Sequence, residues 1–464
     1  ATCEPFVRDW EESLKQILRL EIKRVIANPL DIQNYIVEFF NLAKSVRGAT
    51  AKDQGAYSQI ANFEQLVQLG KSGKLDANDQ HVIHICDWLF NYAFDQRASD
   101  IHLEPRREIG NVRFRIDGVL HTVYQIPTTV MAAMTSRIKV LGRMDVVEKR
   151  RPQDGRIKTV KPDGSEVELR LSTMPTAFGE KLVMRIFNPD VLVKEFSDLG
   201  FTEEDLKKWN GMISKPHGII LVTGPTGSGK TTTLYSTLKH LAKPEVNVCT
   251  VEDPIEMVEP QFNQMQVQQN IGVDFATGIR TLMRQDPDII MVGEIRDLET
   301  AEMAIQAALT GHLVMSTLHT NDAPSTITRL LDLGVPSYLL SSTVLGVMAQ
   351  RLVRVLCPAC KEKAPLEDSA WELLVSPWKA QKPETTYVAK GCLDCRMTGY
   401  AGRMGIYEIM VLNNDIRSMI TDKTDMEKLR EVSFREGTKP LRISGAMKVA
   451  AGLTTVDEVM KVAP

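Results

Sequence analysis

The segment from Gly224 to Thr231 (GPTGSGKT) carries the clearest chemical signal in this sequence. Its G-x-x-x-x-G-K-[ST] pattern lets the backbone curl so that successive N–H groups face a phosphate. The Lys230 ammonium would reach the β- and γ-phosphates of a nucleotide, and the Thr231 hydroxyl would bind Mg²⁺. An apolar run precedes the segment and a helical pattern follows it, so the alternative of a glycine-rich turn without a ligand is disfavoured. The predicted ATP-binding residues are Gly224, Pro225, Thr226, Gly227, Ser228, Gly229, Lys230, Thr231 and Thr232.

Acidic residues end two further apolar runs. VNVCTVE ends at Glu252, and DIIMVGE ends at Glu294. In an open α/β sheet the carboxyl ends of the strands face the ligand crevice. We therefore predict that Glu252 is a general base and that Glu294 binds Mg²⁺ or positions water, with Lys230 as the third catalytic residue. Each acid alone has a simpler alternative, a helix cap or a surface charge.

A histidine stands at each end of the run HLVMSTLH. His319, which Thr320 and Asn321 follow, lies at the carboxyl end of this predicted strand and is a candidate contact for the γ-phosphate. A purely structural histidine is the alternative for His319, and it is the more natural interpretation for His312.

Four of the seven cysteines form two close pairs, Cys357-Pro-Ala-Cys360 and Cys392-Leu-Asp-Cys395. A C-x-x-C pair places two sulfur atoms on one tight turn, and two such turns complete a tetrahedron around Zn²⁺. The alternatives are disulfides, which are rare in a reducing cytosol, or unrelated thiols. Because every candidate ligand is a cysteine, the predicted zinc site is structural.

The surrounding pattern predicts three regions. Residues 1–80 look like a helical segment. Residues 81–195 combine a helix over 81–98, a second helix over 131–141, and alternating strands that turn at Asp117-Gly118 and at Pro162-Asp163-Gly164. Residues 200–464 contain short apolar runs separated by helical stretches, the pattern of buried parallel strands in an α/β fold, and they include the cysteine segment 352–405.

Composition limits the possible functions. The chain has 464 residues, 43% hydrophobic and 25% charged, which is ordinary for a globular protein of about three domains. Its formal net charge of −3 argues against a protein that wraps DNA. The longest apolar stretch, Tyr338 to Ala349, is too short to span a bilayer. The first residues have no basic start and no apolar core, so we expect no signal peptide and a cytoplasmic protein.

Seven segments together resemble the secretion-superfamily ATPases that drive type II secretion and type IV pilus assembly. The resemblance covers roughly residues 80 to 464 and includes the tetracysteine segment. The segments are ASDIHLEP (98–105), RRPQDGRI (150–157), GEKLVMRIF (179–187), LVTGPTGSGKTTTLY, TVEDPIE, RQDPDIIMVGEIRD and TGHLVMSTLHTND.

This resemblance implies a PAS-like α+β domain over residues 81–195, followed by a RecA-like P-loop ATPase domain over 200–464 with a C-terminal zinc-binding subdomain. It also implies a homo-hexamer at the cytoplasmic face of the inner membrane, which moves an inner-membrane platform protein and contacts a cytoplasmic adaptor. Retraction motors of the family lack the cysteines and end in an AIRNLIRE-type segment. Here the corresponding stretch is GAMKVAAG (445–452), which favours assembly or secretion.

The resemblance further implies that arginines of the first domain sense the γ-phosphate. Residues 137–158 contain eight Lys or Arg and three Asp or Glu, a net charge of +5 that would stabilise a triphosphate. The candidates are Arg143, Arg151 and Arg156, and a solvated basic face is the alternative. The alternative functions are a ring-shaped nucleic-acid translocase or helicase, which the near-neutral charge disfavours, and a nucleotide-gated scaffold without turnover.

Overall fold

The structure is a computed structural model of the chain. It describes residues 77–161, 163–187, 194–378 and 380–463, and, before residue 38, residues 2–4, 6–18, 22, 24–29, 32, 36 and 37. By their contacts the residues form two compact units, Ala1–Phe187 with Lys390–Gly399 and Asn188–Ala389 with Tyr400–Pro464. None of the described helices is both long enough and apolar enough to cross a bilayer.

The first unit is built around an antiparallel sheet with two helices on one face. Its helices are α1 (Asp9–Leu18), α2 (Gln80–Asp95) and α3 (Thr128–Leu141). Its strands are β1 (Asp100–Glu104), β2 (Ile109–Ile116), β3 (Val119–Pro127), β4 (Gln153–Val160), β5 (Glu166–Thr176) and β6 (Gly179–Phe187). The strand order is β3-β2-β1-β6-β5-β4. The predicted helices and both predicted hairpins are present, and Asp117 and Gly118 adopt positive φ angles of 49° and 86° in the first turn.

Alternation along β1 separates an apolar face from a charged face. Ile101 and Leu103 are fully buried in the core under α2 and α3. Their neighbours in sequence point to the opposite face, since successive side chains of a strand alternate. There Asp100 pairs with arginines of β2 and β6, and Glu104 pairs with Arg106, Arg113 and Lys181. The sheet therefore needs helices on one side only. Of the predicted helical segment 1–80, residues 38–76 lie outside the described residues.

The second unit is an α/β structure around a mostly parallel sheet. Its helices are α4 (Phe196–Leu199), α5 (Glu203–Ile213), α6 (Lys230–Leu241), α7 (Phe275–Leu282), α8 (Leu298–Leu309), α9 (Pro324–Asp332), α10 (Ser337–Thr343), α11 (Asp368–Val375), α12 (Asn414–Met419), α13 (Met426–Arg435), α14 (Leu441–Ala450) and α15 (Val456–Val462). Its strands are β7 (Gly218–Thr223), β8 (Val248–Glu252), β9 (Asn263–Gln266), β10 (Ile289–Val292), β11 (Leu313–Leu318), β12 (Val344–Leu356), β13 (Glu362–Ala364), β14 (Thr386–Val388) and β15 (Tyr400–Val411).

The main sheet has the order β15-β12-β7-β11-β10-β8-β9. All neighbours are parallel except β15, which runs antiparallel to β12. The four apolar runs predicted as strands are β7, β8, β10 and β11, and they lie side by side. Since these strands are parallel, their carboxyl ends meet at one edge, with the residues that follow β7 near the centre.

Strand β7 explains why these runs are apolar throughout. All six of its residues are buried. Ile219 and Leu221 belong to the hydrophobic core on one face of the sheet, whereas Ile220 and Val222 belong to the core on the other face. In a strand covered on both faces, burial of every apolar side chain stabilises the fold, by about 25 cal/mol for each Å² of apolar surface removed from water. This double cover makes the sheet a rigid base for the loops at its edge.

Candidate nucleotide site and cysteine cluster

A cleft of about 430 Å³ lies at the carboxyl edge of the parallel strands. Every predicted phosphate-loop residue except Gly224 lines it. Glu252 at the end of β8, Glu294 after β10 and His319 after β11 line it as well. Residues from four separate strand ends therefore meet in one cavity, the arrangement expected for the ligand site of an α/β sheet.

The phosphate loop joins β7 to α6, which begins at Lys230. Gly224 and Gly229 have φ angles of 150° and 88°, and a Cβ atom at either position would come within 3 Å of the Gln350 backbone or side chain. Only glycine fits such positions. The Ser228 hydroxyl is buried, and within the described part of the chain it has no hydrogen-bond partner. A buried donor of this kind at a helix N-terminus suits a phosphate oxygen.

Lys230 lies across the loop that it follows. Its ammonium donates hydrogen bonds to the carbonyl oxygens of Gly224, at 2.6 Å, and Pro225, at 3.2 Å. Burial is the main cause that lowers the pKa of Lys230 to about 8; the Glu294 carboxylate acts in the opposite direction, and the Arg351 guanidinium acts in the same direction as burial. An incoming phosphate would stabilise the protonated Lys230 ammonium, because a nearby negative charge favours the charged form that burial disfavours.

Glu252 is 4% exposed and held by three donors. The hydroxyl groups of Tyr235 and Thr250 each donate to its carboxylate over 2.6 Å, and the Gln264 amide donates over 3.2 Å. Burial raises the pKa of Tyr235, and the charge of Glu252 raises it further, so the phenol keeps its proton. The carboxylate is thus fixed in one orientation at the wall of the cleft.

Glu294 is paired on both of its oxygens. One accepts a hydrogen bond from the Arg296 guanidinium, which raises the pKa of Arg296. The other lies 3.5 Å from Nε2 of His319, whose side chain is about half exposed. The predicted acid and the predicted histidine are therefore neighbours. His312 lies at the opposite end of β11, where its Nδ1 is 2.8 Å from the Ala307 carbonyl oxygen, outside the cleft.

Sequence patterns missed several residues of this site. Tyr235 lies on α6, and its only signal was its place in the helix that follows the phosphate loop. Leu352 and Arg403 also line the cleft, from β12 and β15. Gln350 and Arg351 lie beneath the phosphate loop and are 1% and 7% exposed. The four residues of β12 and β15 stand more than a hundred residues from the phosphate loop in sequence, so no local spacing connects them to it.

The three candidate arginines all lie in the first unit and are exposed. Arg143 follows α3 with a positive φ of 56°. Arg151 precedes β4, and Arg156 on β4 is 4.0 Å from the Glu168 carboxylate. Beside them Lys139 is completely buried and donates to both the Glu180 carboxylate and the Glu148 carbonyl oxygen, each over 2.7 Å. Lys139 therefore links α3 to β6 and to the backbone at Glu148, within the basic segment 137–158.

The two cysteine pairs come together. The sulfur atoms of Cys357, Cys360, Cys392 and Cys395 all lie within 4.8 Å of one another. Backbone N–H groups of Cys392 and Gly399 point at the Cys395 sulfur, at 3.1 and 3.2 Å. Such donors favour a thiolate, the form that binds a metal. Four thiolates in this arrangement suit tetrahedral Zn²⁺.

Comparison with known proteins identifies the family of this chain. The family model described as "Type II/IV secretion system protein" matches residues 76–461. The type IV pilus assembly ATPase TfpB of Acinetobacter baylyi is 55% identical, and the alignment covers all of this chain and 79% of that protein. The type II secretion system ATPase E of Vibrio cholerae is 44% identical over 98% of this chain and 94% of its own length.

Two solved structures are similar to this chain in fold. The crystal structure of the pilus retraction motor PilT with bound ADP has a TM-score of 0.56 and 28% identity, covering 81% of this chain and 96% of that one. The ATPase DotB of Yersinia pseudotuberculosis, at 20% identity and a TM-score of 0.63, shares the fold and covers 84% of this chain and 96% of its own. The chain therefore belongs to the type II/IV secretion system protein family and is an ATPase.

Proposed function

We propose that this chain is the subunit of a homo-hexameric motor that uses ATP hydrolysis to assemble a type IV pilus or a type II secretion pseudopilus. The two relatives named above, from a pilus system and a secretion system, support this assignment. The observation that carries the catalytic part is that Lys230, Glu252 and Glu294 line one cleft, although they come from three different strand ends.

Each residue has a separate role in this proposal. The loop amides and Lys230 bind the β- and γ-phosphates, and the charge of Lys230 stabilises the negative charge that develops during transfer. Glu252, held by its three donors, accepts a proton from the attacking water. His319 contacts the γ-phosphate and, through its neighbour Glu294, relays whether that phosphate is present. Arg143, Arg151 or Arg156 adds a positive charge at the γ-phosphate.

Two metal ions fit the residues of the chain. The Thr231 hydroxyl and the Glu294 carboxylate are hard oxygen donors at the same cleft, the type that Mg²⁺ prefers. When bound there, Mg²⁺ would neutralise charge on the phosphate oxygens. The four clustered cysteines would hold Zn²⁺ with no ligand position left open. Its role would be structural, to join the two turns that carry the cysteine pairs.

The proposed function also implies a domain arrangement and a place of action for the hexamer. Residues 81–195 would be the PAS-like domain, and residues 200–464 would be the RecA-like domain with its zinc-binding subdomain. The hexamer would act at the cytoplasmic face of the inner membrane, on a platform protein and beside a cytoplasmic adaptor, and would need no nucleic acid.

The test is the mass of the particle together with its response to candidate partners. Light scattering on the Glu294→Gln protein with ATP should give six copies, and Lys230→Ala, which cannot hold nucleotide, serves as the control. Turnover of the wild-type protein should be unchanged by single- or double-stranded DNA at physiological salt. A monomer at every protein concentration would overturn the hexamer, and stimulation by DNA would favour a translocase.

A further inference from the structure

Gln350 lies on β12, the strand next to β7, and its side chain is buried beneath the phosphate loop. Its Nε2 donates a hydrogen bond to the Ser228 carbonyl oxygen over 2.8 Å. Its Oε1 accepts a hydrogen bond from the Thr233 hydroxyl over 2.9 Å. One amide therefore bridges the loop and the first turn of α6.

Only one orientation of this amide satisfies both neighbours. The Ser228 carbonyl can only accept a hydrogen bond, so it requires the NH₂ end of Gln350. The opposite end must then be the oxygen, and the Thr233 hydroxyl supplies the donor that it needs. A flipped amide would place two acceptor oxygens against each other in a buried site, which is unfavourable. The Ser228 carbonyl thus sets the orientation of Gln350, and the hydrogen bond from Thr233 to the amide oxygen holds Gln350 in that orientation.

The position of that carbonyl determines where the next amide points. In a planar trans peptide the C=O and the following N–H point in opposite directions. With the Ser228 oxygen held against Gln350 at the base of the loop, the Gly229 N–H must point away from the base, into the cleft. The contact is close enough that a Cβ atom at Gly229 would come within 2.8 Å of Nε2 of Gln350.

The backbone of Gln350 supports the start of the same loop. Its carbonyl oxygen lies 2.5 Å from the place where a Cβ atom of Gly224 would be, so the loop begins in contact with it. Arg351 donates to this oxygen over 3.0 Å and to the Asn321 carbonyl oxygen over 2.8 Å. Gln350 therefore contacts both ends of the phosphate loop from a strand that β7 and the core hold in place.

We propose that Gln350 is a positioning residue for ATP binding: it orients the Ser228–Gly229 peptide so that the Gly229 amide faces the phosphates, and the hydrogen bond from Thr233 holds Gln350 in place. The residue contacts no phosphate itself. Ligand binding to an amide that is already oriented has a smaller entropy cost than binding to an amide that the ligand must first order. Removal of Gln350 should therefore weaken phosphate binding more than it slows the chemical step.

The test measures the affinity for a fluorescent ADP analogue and the KM and kcat for ATP. The Gln350→Leu protein keeps the volume but not the hydrogen bonds, and its dissociation constant and KM should both rise by about tenfold, the effect of one lost hydrogen bond of about 1.4 kcal/mol, with kcat within about twofold of wild type. Leu374→Ala, which opens the hydrophobic core of the second unit at a residue that does not line the cleft, is the control. It should lower the melting temperature without changing nucleotide affinity.

A second pair of variants decides the matter if Gln350→Leu does not fold. Thr233→Val has the shape of threonine without the hydroxyl, whereas Thr233→Ser keeps the hydroxyl. The valine protein should bind ADP several-fold more weakly, and the serine protein should bind like wild type. Equal affinities of the valine and serine proteins, or an unchanged affinity in a folded Gln350→Leu protein, would overturn the proposal.

Discussion

The hydroxyl group of Tyr235 donates a 2.6 Å hydrogen bond to the carboxylate of Glu252. The two residues lie on adjacent elements of the nucleotide site, the helix after the phosphate loop and the strand that ends at the proposed general base. A base that must accept a proton from water needs a fixed orientation, because a misplaced carboxylate loses much of its catalytic effect. Tyr235 thus couples the helix that carries Lys230 to the residue that would activate water.

Replacement of Tyr235 by phenylalanine removes this hydrogen bond and keeps the ring that packs near Phe262. We expect kcat for ATP to fall by about tenfold, since a hydrogen bond to a charged group is worth about 1.5–3 kcal/mol. The initial rate of phosphate release at saturating ATP measures it. Tyr387→Phe, far from the cleft in the chain, is the matched control. An unchanged kcat would mean that Glu252 needs no support from Tyr235 or is not the base.

Substitutions of Glu294 and of Lys230 should reduce ATP hydrolysis for different reasons. Glu294→Gln should lower kcat by about a hundredfold or more while ATP still binds, whereas Lys230→Ala should lose ATP binding itself. Parallel measurements of turnover and of nucleotide affinity separate the two effects. Glu299→Gln, an exposed acid on α8, should behave as wild type. Wild-type hydrolysis in both cleft variants would remove the catalytic assignment.

The pKa of Lys230 predicts two opposite dependences on pH. Because burial lowers this pKa to about 8 from an ordinary value of 10.5, the unfolded chain binds more protons than the folded protein between these values. The stability of the nucleotide-free protein should therefore rise with pH across that window. ATP favours the protonated ammonium, so its affinity should fall above about pH 8.

Calorimetry detects the proton involved. At pH 8.5, ATP binding should take up protons, and the measured enthalpy should depend on the ionisation enthalpy of the buffer. The Lys230→Arg protein binds with a group that stays charged, so its affinity, although lower, should be flat between pH 7 and 9. The same buffer dependence in wild type and Lys230→Arg would assign the proton to another group.

The cysteine cluster predicts one zinc ion per chain in freshly purified, reduced protein. Cys357→Ser and Cys392→Ser should each lose the metal, since removal of one thiolate opens the tetrahedron. Metal analysis by mass spectrometry measures this directly. Cys249→Ser changes a buried cysteine outside the cluster and should retain the zinc. Protein without metal, prepared with the thiols reduced, would contradict the prediction.

The basic segment of the first unit gives the last prediction. If one of Arg143, Arg151 and Arg156 reaches the γ-phosphate, its replacement by alanine should lower kcat by about a thousandfold with ATP binding retained. Lys158→Ala, on the same strand as Arg156, is the control for a general loss of positive charge. Three alanine variants that all turn over ATP like wild type would show that the segment is only a solvated basic face.

Local sequence predicted much of this protein because its signals are short in range. The spacing of Gly224, Gly229 and Lys230 requires a particular backbone curl, and the fully apolar runs around it indicate strands covered on both faces. Asp117-Gly118 predicts a hairpin because few other residue pairs adopt positive φ angles in succession. The two C-x-x-C pairs predict a metal site for the same reason: each pair acts within one turn.

The tertiary structure decided which distant residues meet. The order of the strands placed Glu252, Glu294 and His319 at one edge, and no pattern in the sequence contains that order. It also placed Gln350 under a loop that lies about 120 residues earlier in the chain, as the separation of its hydrogen-bonded partner Ser228 shows. The physical reason is that phosphate binding depends on backbone curl, which neighbouring residues encode, whereas the orientation of each catalytic group depends on hydrogen bonds from side chains that only packing of the sheet brings into range.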